Sequence, residues 1–197
     1  VSLPLRVVKV GGSLFDRPRL AGDLRRWLNQ EPAAVNLLVA GGGDLADGIR
    51  RWDERFQLGE EQSHWLCLEV LSISSQVLHH LLPEVPLLTD AMAIQTLADR
   101  PSAESASPSA AIVDLQSLLR EIEPTLPPEP LPHRWTVTTD SLAARLAEIV
   151  HADELVLLKS AAVPAGDWQA LAASGYVDGY FPTIAPRLPA IRCTTLR

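Results

Sequence analysis

Two short apolar runs, each cut off by glycines, restrict this chain more than any other feature. Leu5–Val10 (LRVVKV) runs straight into Gly11-Gly12-Ser13, and Val35–Ala40 (VNLLVA) runs into Gly41-Gly42-Gly43. A near-continuous apolar run of this length reads as a strand buried on both faces, the pattern of a parallel sheet covered by helices. Glycines directly after a strand allow a tight turn and let backbone N–H groups come close to an anionic ligand. Lys9, near the end of the first run, adds a full positive charge beside such a nest. Two readings remain open at this point. One is an anion-binding turn; the other is a structural strand-to-helix turn whose lysine carries its head to solvent.

Helical periodicity follows each glycine turn. Pro18–Gln30 repeats apolar residues at Leu20, Leu24, Trp27 and Leu28, with Pro18 suited to a first turn. A helix is expected after Gly43 to about Phe56. Gly59 then opens a long one from Glu60 to Leu82, apolar on more than one face, as in a helix packed on several sides or lying at a subunit interface. Val85–Leu88 and Ala110–Val113 read as short strands. Thr89-Asp90 starts a helix to about Ala98, and residues 101–109 form a polar loop. Leu115–Ile122 reads as a short helix, and Pro124–Pro132, with five prolines in nine residues, as an extended spacer or surface arm. Trp135–Thr138 is expected to be another strand end, followed by a helix from Thr139 to about His151. Leu155–Leu158, ending in Lys159-Ser160, and Ala190–Leu196 complete the strands, with a helix over Asp167–Ser174 ended by Gly175. Strands alternating with helices predict an α/β fold, a three-layer αβα sandwich with a mainly parallel sheet. We expect one domain over residues 1–197, with an acceptor side (1–123) and a nucleotide side (133–197).

Composition narrows the function. The chain has 197 residues, 47% of them hydrophobic, and a net charge of −7. It therefore has material for a full core and no electrostatic footprint for nucleic acid or an anionic membrane. Any phosphate must be held by local charge against the overall field. Cys67 and Cys193 lie far apart with no metal-ligand spacing, which suits reduced thiols in the cytoplasm. No apolar run reaches membrane-spanning length, since Glu69 interrupts Trp65–Leu71, and no signal-peptide pattern opens the sequence.

Ligands of open parallel sheets bind at the carboxyl ends of the strands. Four such ends carry polar or glycine-rich groups: Lys9 to Ser13, Gly41 to Gly43, Thr138 to Asp140, and Lys159-Ser160. Two glycine turns and two lysines around one crevice suit a polyphosphate and an acceptor, because phosphoryl transfer needs positioning and charge neutralisation. Asp140 could orient the lysines or help hold Mg2+; its plainer reading is a helix N-cap, and the two roles can coexist. There is no G-x-x-x-x-G-K-[ST] motif. Gly41-x-Gly43-x-x-Ala46, with Glu60-Glu61 downstream, fits a loose dinucleotide fingerprint, an alternative that leaves Lys9, Asp140 and Lys159 unexplained.

KVGGS at Lys9–Ser13, VAGGG at Val39–Gly43, TTDSLAARLA at Thr138–Ala147 and LVLLKS at Leu155–Ser160, in that order, resemble the amino acid kinase family. The resemblance implies an ATP-dependent kinase using Mg2+. Lys9, Asp140 and Lys159 would be catalytic; Gly11, Gly12, Ser13, Ser141 and Ser160 would hold nucleotide phosphates; Gly41, Gly42, Gly43, Asp47 and His64 would face the acceptor. Among short members the chain looks most like the aminomethylfuran phosphate kinases of methanofuran biosynthesis, on Gly43–Asp47, Gly59–Trp65 and Gly175–Pro182. Asp53 and Glu60 join Asp47 and His64 as candidates to meet an acceptor ammonium group. Two departures stand out: Ser160-Ala161-Ala162-Val163 lacks the Asp-Gly of many members after Lys159, and Val177-Asp178-Gly179-Tyr180-Phe181 stands where a lysine-bearing nucleotide loop is usual. An alternative on the same fold is a non-catalytic nucleotide- or oxyanion-binding storage protein. The expected partners are a small-molecule substrate and further copies of the chain, a dimer or larger, with no nucleic acid and no membrane.

Overall fold

The computed structural model describes residues 3–96 and 110–196. Six strands form one sheet: β1 (Leu5–Val10), β2 (Val35–Ala40), β3 (Leu87–Leu88), β4 (Ala110–Val113), β5 (Glu154–Lys159) and β6 (Ile191–Thr195). Their order across the sheet is β3-β4-β2-β1-β5-β6, and every neighbouring pair is parallel. The helices are α1 (Leu20–Gln30), α2 (Gly43–Phe56), α3 (Glu60–Leu81), α4 (Ala91–Gln95), α5 (Leu115–Ser117), α6 (Thr139–Ile149), α7 (Trp168–Ala173) and α8 (Phe181–Ile184). The polar loop expected over 101–109 and the end of the helix expected to reach Ala98 lie outside the described residues.

Side-chain alternation along β1 and β5 explains the three layers. Val7, Leu155 and Leu157 join one core with Leu142, Ala143 and Leu146 of α6 and Phe181 and Ile184 of α8. Val8, Val10, Val156 and Leu158 join the other, with Leu14 and with Leu20, Leu24 and Trp27 of α1. α3 serves both, through Leu68 and Leu71 on one side and Leu78 on the other. The central strands are buried on both faces, and their apolar runs record it.

One expectation needs correction. Trp135–Thr138 is no strand; it is irregular backbone entering α6, so three of the four expected strand ends are strand ends and the fourth is a loop. Of the two readings of the proline-rich segment, the structure shows the ordered arm rather than the spacer, and ties it to the core. Its carbonyls at Leu126, Pro127 and Pro128 accept hydrogen bonds from Arg145, a side chain on α6 with no exposed surface, and the Leu131 N–H donates to Glu123. The prolines hold the arm extended while Arg145 ties it to the core.

Candidate active site

Lys9 continues the Val7 row of β1, and Lys159 continues the Leu157 row of β5. Both therefore leave the sheet on the face that α6 covers. α6 begins at the carboxyl ends of these strands, so its first turn lands between the two lysines. Asp140 is in that turn. Its Oδ1 lies 2.9 Å from Lys9 Nζ, and Lys159 Nζ donates to Oδ2 at 2.8 Å and Oδ1 at 2.9 Å. Lys159 Nζ also donates to the Tyr176 carbonyl at 2.7 Å and lies 5.2 Å from the Tyr176 ring centre. Asp140 and Lys9 are buried, with 4% and 7% exposure.

Burial pushes the Asp140 carboxyl upward, but the ammonium groups of Lys9 and Lys159 overcome it, and the group sits below the usual carboxylate range. Lys159 is lowered by burial and by Lys9, with Asp140 opposing. These are the only two lysines in the whole chain; every other long cation is arginine. That count was a legible signal. A compact ammonium centres on an oxygen as a point charge, whereas guanidinium demands a fork.

The N-cap reading of Asp140 does not hold: Thr138 is the N-cap, in extended conformation, and its own side chain makes no cap bond. The Asp178 carboxylate supplies the cap from 40 residues away, accepting from Thr138 N and Ser141 N, both at 2.9 Å. Sequence reasoning noted Asp178 as a departure and gave it no role.

The glycine turns serve each other. A Cβ on Gly12 would stand 2.3 Å from Gly43 N, and one on Gly41 would stand 2.5 Å from Gly12 N. The two loops thus pack backbone on backbone, and Gly43 has φ +52°. Gly11 donates its N–H to the Leu158 carbonyl at 2.9 Å, continuing the sheet.

A cavity of about 380 Å³ opens beside Lys9. Gly12, Ser13, Gly42, Gly43, Asp47, His64 and Glu60 line it; Gly11, Gly41, Asp53, Ser141 and Ser160 do not. Ser13 and Ser160 hydroxyls meet at 2.8 Å across the β1 and β5 loops. Ser141 Oγ is bonded to Asp178, and Asp53 accepts from Trp135 Nε1 at 2.6 Å. Glu61, half of the acidic pair in the dinucleotide pattern, accepts from Trp65 Nε1 and pairs with His133 Nδ1, both at 2.7 Å. Sequence reasoning missed Arg50, Arg134 and Trp135 as lining residues; the last two come from the loop that leads into α6. Arg50 stacks over Trp135 at 4.8 Å and pairs with Asp47 at 3.0 Å. Burial and the neighbouring Asp47 and Asp53 hold the Cys67 thiol protonated, at about 11, against the pull of Arg50.

A second hollow of about 360 Å³ lies among Val163, Asp167, Trp168, Leu171 and Cys193, and neither lysine lines it. A larger hollow of about 800 Å³ opens at the far end of α6, around His151 and Arg187. It ends at Thr96, where the described residues stop, and its lining contains neither lysine nor glycine turn. Among the described residues no group of three His, Cys, Asp or Glu side chains is placed to hold a metal ion, and no helix is long and apolar enough to cross a membrane.

Residues 4–162 match the amino acid kinase family. The chain is 22% identical over 154 residues to [5-(aminomethyl)furan-3-yl]methyl phosphate kinase of Methanocaldococcus jannaschii. That match covers 78% of this chain and 64% of the relative, so the chain spans less than two thirds of the relative's length. The fold is similar to that of UMP kinase from Ureaplasma parvum, with TM-score 0.65, 12% identity, 98% of this chain and 90% of that one covered. It is also similar to aspartate kinase from Synechocystis, with TM-score 0.56, 12% identity, and 98% and 38% covered.

Proposed function

The chain belongs to the amino acid kinase family, and on that premise we propose that it is an ATP-dependent phosphotransferase acting on a small acceptor that carries a phosphate or carboxylate. The observation that carries this reading is the Lys9–Asp140–Lys159 bridge at the carboxyl edge of the sheet, with a cavity of about 380 Å³ opening beside Lys9. The hollow beside Cys193 and Trp168 suits the nucleoside. The cavity beside Lys9 suits the acceptor. An acceptor oxygen attacks the γ-phosphorus, the bond to the β,γ-bridging oxygen breaks, and ADP leaves with that electron pair. Charge grows on the transferred group and on the leaving oxygen, where two ammonium groups stabilise it. Asp140 keeps the two like charges together in a buried site. Both Asp140 oxygens are engaged by lysine, so the donor set fits Mg2+ carried by the nucleotide's own phosphates, where it would neutralise part of their charge.

Arg134 and the Arg50–Asp47 pair bring guanidinium and carboxylate to the cavity, Glu60 adds a second carboxylate, and Leu68, Leu71 and Leu142 give an apolar wall. That combination supports an acceptor with a phosphate, an ammonium group and a flat body between them. [5-(Aminomethyl)furan-3-yl]methyl phosphate has this chemistry, and its product would be the diphosphate, as methanofuran biosynthesis requires. Residues 1–197 would work as one unit, 1–123 on the acceptor side and 133–197 on the nucleotide side. Two free cysteines, both half-buried, support a reducing compartment, the cytoplasm. The exposed apolar residues of α2 and α3 support a homo-oligomer.

The test is calorimetry with ATP and Mg2+, then a steady-state assay with the aminomethylfuran phosphate. Lys9→Ala and Lys159→Ala should lower kcat about 10²–10³-fold, more than they weaken binding. Asp140→Asn should lower both turnover and melting temperature, because it leaves two buried ammonium groups unneutralised. ATP binding without turnover on any acceptor would favour the storage reading, and NAD binding without ATP binding the dinucleotide one.

A further inference from the structure

We propose that Asp178 is a positioning residue: its carboxylate docks the 175–181 loop against the first turn of α6 and so sets where Asp140 stands between Lys9 and Lys159. The proposal rests on the reading of those three residues as the reacting set. Asp178 accepts six hydrogen bonds. Its Oδ2 takes Thr138 N at 2.9 Å, Thr138 Oγ1 at 3.0 Å and Ser141 N at 2.9 Å. Its Oδ1 takes Ser141 Oγ at 2.5 Å, Phe181 N at 3.0 Å and Tyr180 N at 3.2 Å. The first four come from the two residues that flank Thr139-Asp140. The last two come from the start of α8.

The geometry makes this more than a cap. Lys9 and Lys159 stand on β1 and β5, which are paired in register from Arg6–Glu154 to Val10–Leu158, so the lysine backbones are fixed by the sheet. Asp140 stands on a helix that must be held against that sheet by something else. Thr138 makes no cap of its own, so Asp178 is the group that orients the first turn. The same loop reaches the other side of the site, where the Tyr176 carbonyl holds Lys159 Nζ at 2.7 Å. One short segment therefore fixes both the carboxylate and one of its two cations. An aspartate is required, since all six partners are donors, and an asparagine would turn an N–H group toward donors on one side.

Because the chain has only two lysines, protein labelled with 15N-lysine gives two side-chain ammonium signals that report the site directly. We would compare wild type, Asp178→Asn and Asp90→Ala. The last removes another helix cap, on α4, where Asp90 accepts from Ala93 N at 2.7 Å. Amide exchange at Ser141 shows whether the α6 contact is lost. Both lysine signals should move in Asp178→Asn and stay in Asp90→Ala, even where the two variants lose similar melting temperature. In the steady-state assay with ATP, Mg2+ and the aminomethylfuran phosphate, Asp178→Asn should lower kcat at least tenfold with KM for ATP within about twofold. Faster exchange at Ser141 with unmoved lysine signals would overturn the proposal, as would full kcat. Absence of turnover in the wild type would overturn the kinase reading instead, and the lysine signals would still decide the role of Asp178.

Discussion

His64 stands half-buried at the cavity beside Lys9, its ring stacked on His133 with centres 4.3 Å apart and edge-on to Trp65 at 5.2 Å. Burial lowers its pKa to about 4, helped by His133 and Arg120, while Glu61 opposes. At neutral pH it is an uncharged hydrogen-bonding group lining the cavity beside Lys9. The linkage has a definite sign. Between the ordinary histidine value and about 4, the unfolded chain binds a proton that the folded chain refuses, so stability falls as pH falls through that window. His64→Gln removes that contribution. Between pH 6.5 and pH 4 the wild type should therefore lose more melting temperature than His64→Gln; parallel melting curves against pH would show that His64 is charged in the folded state. Lys9 and Lys159 belong to the same scale: two ammonium groups share one carboxylate because Asp140 has almost no water to compete.

At the scale of elements, α6 joins the site to the core. Its first turn holds Asp140, and one turn further along Arg145 is wholly enclosed. Arg145 Nε bonds Glu123 at 3.1 Å, and Nη1 bonds Glu148 at 2.6 Å. Glu123, 3% exposed, also accepts the Leu131 N–H at 2.9 Å. Arg145→Ala would leave a buried carboxylate without its cation and release the carbonyls of the proline arm. The expected loss is about 3–5 kcal/mol, read from urea unfolding. Adding Glu123→Gln to Arg145→Ala should recover part of it, since the two side chains act as one unit. A loss under about 1 kcal/mol for the single variant would mean that the arm is held by its apolar contacts alone. The arm also leads into the loop carrying Arg134 and Trp135, so the same ion pair steadies one wall of the cavity beside Lys9.

At the scale of the molecule, one sheet runs from β3 to β6, and β1 near its centre pairs with β2 on one side and β5 on the other. The two sides thus share their middle strand. Outside the sandwich, α3 presents Ile73, Val77 and Leu81 to solvent at helical spacing, and α2 presents Leu45, Trp52 and Phe56, more than half exposed. Apolar area on two touching helices supports self-association across this face. Sedimentation should show a dimer or larger assembly that the double variant Ile73→Glu, Val77→Glu converts to monomer while melting once. A wild type that sediments as a monomer at all concentrations would remove the oligomer from the proposal.

Linear order carried a good deal of this. Period and punctuation determine strands and helices wherever a run is buried on both faces, so Ala110–Val113 and the long helix from Glu60 were legible as they stand. The same alternation puts Lys9 and Lys159 on one face of two strands, and the Thr-Asp-Ser start of α6 marks a helix entry. What was not legible depends on contacts between distant residues. The glycine turns read as two ligand nests, yet Gly12 and Gly43 need their missing Cβ atoms because the two loops touch. Asp140 read equally well as an N-cap, until Asp178 was found in the capping position. Trp135–Thr138 has a strand's composition, and it stays irregular because its polar groups are taken by Glu60, Asp53 and Asp178 on other elements. Local propensity sets what a segment can be. Which partner satisfies a buried N–H or a buried charge is settled across the fold, because an unpaired one is costly enough to override propensity.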